Sequence, residues 1–219
     1  MDEFLTEQSR THIAGLMVRP RQFDEGDVTS ALLDVFWSRG YARTSIDELT
    51  AAAGLLRGSL YCAYGSKESM FRAATERYVA DLAAAIATDK TGLDGARHVL
   101  DTVARLTAGD PERRGCLILN AVPESRGLSA ETRRALQDGL AAMQALLRAR
   151  IREEQHEAGT DLDLEPLVAM LFAAAVAIRV LGRAGQGRRL LQNIATGAID
   201  AAQRCFEQQP KKAARTRKE

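Results

Sequence analysis

The sequence predicts an all-α chain: an N-terminal three-helix domain built on a helix-turn-helix, followed by a larger helical domain. Three observations predict it. Alanine and leucine are abundant while aromatics make up only 5% of the 219 residues, a balance that favours helix over sheet. Apolar residues recur at i, i+3, i+4 and i+7 in segment after segment. Between Thr44 and Lys67 two short helical patterns flank a single glycine, Gly54, which is the punctuation of a helix-turn-helix that sets its second helix into a DNA major groove.

The first 18 residues carry no clear periodicity and read as a loose arm. Arg19-Pro20-Arg21 follows, with Pro20 stopping any helix and two arginines placed to touch phosphates or simply to solvate a linker. Val28, Ala31, Leu32, Val35 and Phe36 mark the inner face of a first helix from Asp24, which Gly40 ends. Thr44 reads as the N-cap of the second helix, with Asp47 as its capping-box acid, and Ile46, Leu49 and Ala53 facing inward. The third runs near Arg57 to Tyr64, with Leu60 and Tyr64 inward and Gly65 as its stop. Ser66 caps a long fourth helix expected to reach Thr88, with Glu68 well placed in its first turn and Met70, Phe71, Ala74, Tyr78, Leu82 and Ala85 on one side.

Beyond Gly92 every pattern is helical. Leu93 to Leu106 form one helix and residues 109–115 a loop. CLILNAV (116–122) is a short apolar helix ended before Pro123. A helix capped by Ser129 has Leu136, Leu140, Met143, Leu147 and Ile151 inside. Asp163 is placed to cap the next, with Pro166 in its first turn. From Leu167 to Ile178 this helix is apolar on every side, so it must be covered all round, yet the run is too short to span a bilayer. The last helix carries Leu190, Leu191, Ile194, Ala198 and Ala201, and its small residues allow another helix to approach closely.

Composition excludes several classes. The formal net charge is +1, so nucleic-acid binding must rest on local arrangement. Residues 19–67 are themselves balanced, six basic against six acidic. Cys62, Cys116 and Cys205 form neither zinc spacing nor a disulfide framework, which points to a reducing cytoplasm. Cys116 reads as a small buried hydrophobe. His12, His98 and His156 have no metal-ligand spacing, and no hydrolase, zincin or phosphate-loop motif is present, so neither catalytic residue, metal nor cofactor is expected. The tail at 209–219 holds five basic residues against one acid and reads as a solubilising, disordered segment.

The stretch TSIDELTAAAGLLRGSLYCAYGSKESMF (44–71), with FWSRGYARTS (36–45) before it, resembles the DNA-binding domain of the tetracycline-repressor (TetR) family of bacterial transcription regulators. The match covers about residues 21–79; RGCLILNAVPE (114–124) and the last helix pair resemble a subset of the same family. The resemblance implies an N-terminal DNA-binding domain (19–65) and a C-terminal helical domain (66–208) that binds an effector and dimerises. It implies a homodimer on a palindromic double-stranded operator, a small-molecule effector, and no membrane. Carried over residue by residue, Thr44 falls where a helix N-terminus holds phosphate. Arg57 and Gly58 open the recognition helix, Ser59 and Tyr61 are hydroxyl donors, Cys62 lies on the same face, and Lys67 is a phosphate clamp. Leu56, Cys62 and Ala63 depart from the family pattern and remove possible contacts. The effector pocket is expected among His98, Leu100, Val103, Leu117, Asn120, Met143, Leu147 and Phe172, with Asn120 needing a partner if buried. The dimer face is expected at Leu167, Leu171, Ala175 and Ile178 with Leu190, Ile194, Ala198 and Ala201. These features point to a repressor released from DNA by a small molecule. Two other readings are a DNA-binding activator or architectural protein without effector, and a helical interaction module that has lost DNA.

Overall fold

The computed structural model describes residues 24–208, so the N-terminal arm, Arg19, Arg21 and the basic tail lie outside the described residues. Among the described residues there are nine α-helices, one 3-10 helix and no strand.

α1 (Glu25–Arg39) starts at Asp24, whose carboxylate accepts from the amides of Gly26 and Asp27, and ends at Gly40. It buries Val28, Leu32, Leu33 and Phe36. α2 (Ile46–Ala53) is capped by Ser45 and not by Thr44. Ser45 Oγ accepts from the Glu48 amide and the Glu48 carboxylate accepts from the Ser45 amide, a reciprocal box one residue later than the sequence suggests. Thr44 is instead buried, its hydroxyl donating to the Gly40 carbonyl at 2.7 Å. Gly54, at φ 64°, makes the left-handed turn. It leads into α3 (Arg57–Tyr64), of which only Leu60 is fully buried.

α4 (Lys67–Ala85) is capped by Ser66 and stops three residues short of Thr88. Ile86 turns inward at its C-terminus and is 5% exposed. α5 (Gly92–Gly109) leads through a loop to α6 (Leu117–Ala121). α6 ends before Pro123, as the sequence suggests, and Pro123 then sits in the first turn of a 3-10 helix (Val122–Gly127), where its missing N–H has no partner to lose. α7 (Ala130–Ala158) is capped by Ser129. α8 (Glu165–Arg183) has Leu164 at its cap position, while Asp163 takes only the Glu165 amide at 3.1 Å. α9 (Arg188–Glu207) closes the fold.

Two cores result. One joins α1–α4 to Cys116, Leu117, Ile118, Ala121, Leu128 and Leu136. The other joins α5, α8 and α9 with the C-terminal half of α7. The first core therefore runs across the boundary expected at residues 65 and 66. α8 extends beyond the Leu167–Ile178 run and, by length and composition alone, is long and apolar enough to cross a membrane. Its packing against α5, α7 and α9 accounts for that character as a core helix.

Candidate DNA interface and effector cavity

α3 is short and presents nearly all of itself to solvent. Arg57, Gly58, Ser59, Tyr61, Cys62 and Ala63 are all exposed, and the fold holds the helix through Leu60 and through Tyr64, whose hydroxyl pairs with Thr29 Oγ1 at 2.9 Å. Leu56 precedes it, 80% exposed and making no side-chain cap, so the first amides of α3 point outward uncapped. A Cβ built on Gly58 would meet nothing within 4 Å. The protein's own packing does not require glycine there, and its cost to the helix has its use in letting a second molecule come close. Arg57 stands 5.9 Å over the Tyr61 ring and 3.9 Å from Asp47. Both partners of that ion pair are exposed, and such pairs contribute little, so the guanidinium can leave it for a base edge or a phosphate.

Two expected DNA contacts are placed differently. The buried Thr44 hydroxyl cannot reach phosphate, and Glu48, itself paired with Arg39 at 2.7 Å, occupies the N-terminus of α2. Backbone and side-chain hydrogen bonds from Ser45 hold the Glu48 carboxyl below its ordinary pKa. Lys67 is half-buried with its ammonium 4.5 Å over the Tyr41 ring. Burial lowers its pKa, against the opposing fields of Glu124 and Glu48. It must leave Tyr41 to touch a phosphate.

Behind this face a cavity of about 460 Å³ lies between α4, α7 and α8, with α6 and Val103 of α5 closing it. Val103, Met143 and Phe172 line it as the sequence suggests. The other five effector candidates do not. Leu100, Leu117 and Leu147 are at most 1% exposed and belong to the solid cores. His98 lies on α5 away from the cavity, its buried Nε2 without a hydrogen-bond partner among the described residues. Asn120 satisfies its amide on the Arg114 carbonyl at 2.7 Å and borders a separate small cleft.

The sequence reading missed the phenol and the two cations of the cavity: Tyr78, Arg150 and Arg179. Arg179 had a signal, since it is the lone cation following an apolar run and falls one residue after the buried Ile178. Tyr78 is 3% exposed and its hydroxyl makes no well-formed hydrogen bond among the described residues, with Cys116 and the Leu117 backbone as its polar neighbours. Burial first, and then the adjacent Cys116, hold its phenol far above the ordinary value, so it stays a neutral donor.

Cavity and DNA-facing unit are joined directly. α4 carries both, packing on α1 along one side and walling the cavity with Tyr78, Val79, Leu82 and Ala83. Trp37 of α1 packs on Tyr78 at 5.0 Å. Arg114 lies 4.1 Å over Trp37 and pairs with Asp34 at 2.9 Å. The Ala42 amide donates to Glu124 at 2.8 Å, and the Ser129 amide to Glu68 at 2.7 Å.

The expected dimer face needs correction on α8. Leu167, Leu171, Ala175 and Ile178 are 6%, 0%, 4% and 0% exposed within the single chain, so they face its own core and cannot meet a partner. The outward stripe of α8 lies elsewhere, at Ala169, Ala173, Ala177 and Val180. Leu190, Ile194, Ala198 and Ala201 on α9 keep exposed or half-exposed surface.

A small exposed recognition helix, coupled through one long helix to a largely apolar pocket, defines a helix-turn-helix transcription regulator. Residues 28–74 match the family model described as bacterial regulatory proteins of the tetR family, and residues 92–197 match the tetracyclin repressor-like C-terminal domain. The chain belongs to the TetR family of bacterial transcriptional regulators. It is 26% identical over 178 residues to YezE of Bacillus subtilis (strain 168), an uncharacterized HTH-type transcriptional regulator, across 76% of this chain and 90% of the relative. It is 36% identical over 66 residues to the HTH-type transcriptional repressor ComR of Escherichia coli (strain K12), across 30% and 31% of the two chains. The TetR-family regulator CifR, in a cysteine mutant complexed with 26-bp double-strand operator DNA, superposes with a TM-score of 0.73 at 29% identity, covering 84% of this chain and 99% of that one.

Proposed function

We propose that the protein is a ligand-released repressor that binds a palindromic operator as a homodimer in the cytoplasm. Two copies of α3 enter successive major grooves. Arg57 makes a bidentate contact to a guanine edge, Ser59 and Tyr61 donate to phosphate or base, and Gly58 and Cys62 let the helix lie close. Lys67 adds a phosphate contact once it leaves Tyr41. Repressor-named relatives support the sign of regulation. A small molecule in the cavity favours an off-DNA arrangement of α4, and release follows from its tighter binding to that arrangement.

One observation carries this reading: α4 is at once the wall of the cavity and the seat of α1. An apolar pocket in that position argues against a DNA-binding protein without effector. The test is an electrophoretic shift of the DNA upstream of the protein's own gene, at moderate salt, with wild type, Arg57→Ala and Tyr61→Phe. Wild type shifts the fragment and each variant binds more weakly, Arg57→Ala by about 1–3 kcal/mol. Unchanged binding by both variants overturns the assigned DNA face.

A further inference from the structure

The cavity is apolar along its length, yet it holds a buried cation without a counter-charge. Arg179 is 7% exposed. Its one hydrogen bond, to the Gly115 carbonyl, is a long 3.5 Å, and no carboxylate among the described residues pairs with it. A buried guanidinium with five donors and so little to bind is costly to leave unmatched. Beside it the Tyr78 hydroxyl, on a residue 3% exposed, makes no well-formed hydrogen bond among the described residues, its polar neighbours being Cys116, the Leu117 backbone and Arg179 itself. Both residues border the cavity and the cleft behind it toward Trp37, so they mark one end of the chamber.

At the opposite end the terminal nitrogens of Arg150 are engaged, although its buried Nε has no hydrogen-bond partner among the described residues. Arg150 donates to the Thr88 carbonyl at 3.3 Å and pairs with Glu153 at 3.5 Å. It follows Gly139, which packs against Ile118 near the Tyr78 end, by about 16 Å along α7 at 1.5 Å per residue. Between the two ends the lining is Leu82, Ile86, Leu140, Met143, Leu146 and Phe172.

Resting on the effector reading above, we propose that the occupant is an elongated apolar monocarboxylic acid. Its carboxylate binds the Arg179 guanidinium and accepts from the Tyr78 hydroxyl, and its apolar body lies along the slot between α4 and α7. One negative charge matches one unpaired guanidinium in the fork geometry that carboxylates suit. A phosphate monoester would bring more charge than this end can neutralise. A neutral ligand would leave Arg179 as uncompensated as before. An amine would meet a like charge.

The test uses the full chain with dodecanoate, dodecanol, dodecylamine and dodecyl phosphate as probes. It reads the fluorescence of Trp37, the only tryptophan, which meets Tyr78 edge to face, together with calorimetry and operator release. Dodecanoate binds and releases the operator, and dodecanol binds at least about tenfold more weakly, the worth of one charge-assisted pair. Arg179→Gln brings acid and alcohol to equal affinity, and Tyr78→Phe weakens the acid several-fold while leaving the alcohol unchanged. If Arg179→Gln does not fold by circular dichroism, Arg179→Lys, which keeps the charge and loses the fork, serves in its place and weakens the acid. Alcohol or phosphate bound as tightly as the acid by wild type overturns the acid and leaves the effector cavity standing. Acid binding unchanged in the Arg179 variant does the same. No binding of any probe, with operator occupancy unaffected, sinks the effector reading and the acid with it.

Discussion

The rings of Trp37 and Tyr78 meet edge to face, centroids 5.0 Å apart and planes at 76°. Trp37 belongs to α1 of the DNA-facing unit, and Tyr78 lines the cavity from α4. An occupant that moves the Tyr78 ring must move the Trp37 ring or lose this contact, because packed interiors have few intermediate positions. In Trp37→Leu, ligand still binds the cavity, but its effect on operator affinity falls. The wild-type coupling is expected at about 1–3 kcal/mol and the variant well below it, measured as the ratio of operator affinities with and without saturating ligand. Equal coupling in both proteins would show that the rings do not transmit.

Gly58 offers a case where stability and function should move in opposite directions. Its Cβ position is open and it lies within α3. Gly58→Ala therefore raises unfolding free energy by roughly 0.5–1 kcal/mol through helix propensity, seen as a higher urea midpoint. The added methyl stands on the face proposed to meet DNA, and operator affinity drops. A stabilised protein with intact operator binding would place DNA on another face.

The outward stripes of α8 and α9 predict where the chain dimerises. Val180 is 52% exposed and Leu190 40%. Val180→Asp with Leu190→Asp yields a folded monomer in analytical ultracentrifugation, with operator affinity reduced because two half-sites are no longer read together. Leu171→Asp, in contrast, destabilises the single chain by several kcal/mol by burying an unpaired carboxylate. A dimer that survives the surface pair would move the interface away from α8 and α9.

Glu68 ties α4 to the start of α7. Hydrogen bonds from Ser129 and Thr132 hold its carboxyl below the usual carboxylate range, against a smaller opposing effect of burial. With the folded-state pKa lowered, its contribution is fully present above the unfolded value of about 4.3 and is lost as pH falls through the lowered folded value. Thermal melts from pH 7 to pH 3 should show Glu68→Gln already lower than wild type at neutral pH, with the two converging at the acid end. Parallel curves at every pH would remove Glu68 from the tie.

What the sequence could and could not show divides along physical lines. Helix ends were legible because glycine stops and hydroxyl caps act locally: Gly40, Gly54, Gly65, Ser66 and Ser129 stand where their residue types predict. The Thr44–Ser45 shift shows the resolution of such signals. Two adjacent hydroxyls compete for one cap, and the acid that completes the box is three residues after the winner. The cavity was less legible, since Leu100 and Leu147 carry the same periodicity as Val103 and Met143, and only three-dimensional packing decides which apolar side chains leave a void between them. The face of α8 failed for a related reason. A helix apolar all round gives no phase, so the sides toward α5 and toward a partner look alike until the chain closes on itself. Arg179 was the one phase marker available within it.

The shared core and the Glu124–Ala42 hydrogen bond make the DNA-facing unit a poor exchangeable cassette. A hybrid regulator that grafts a foreign reading head at residue 66 would keep α4 but lose the complementary surface that residues 112–136 present to α1 and to the turn before α2. Rewiring this protein to a new promoter is therefore better done by changing the exposed positions of α3 than by swapping the whole head. Those side chains touch water on the protein's side, and the signal relay behind them would be inherited intact.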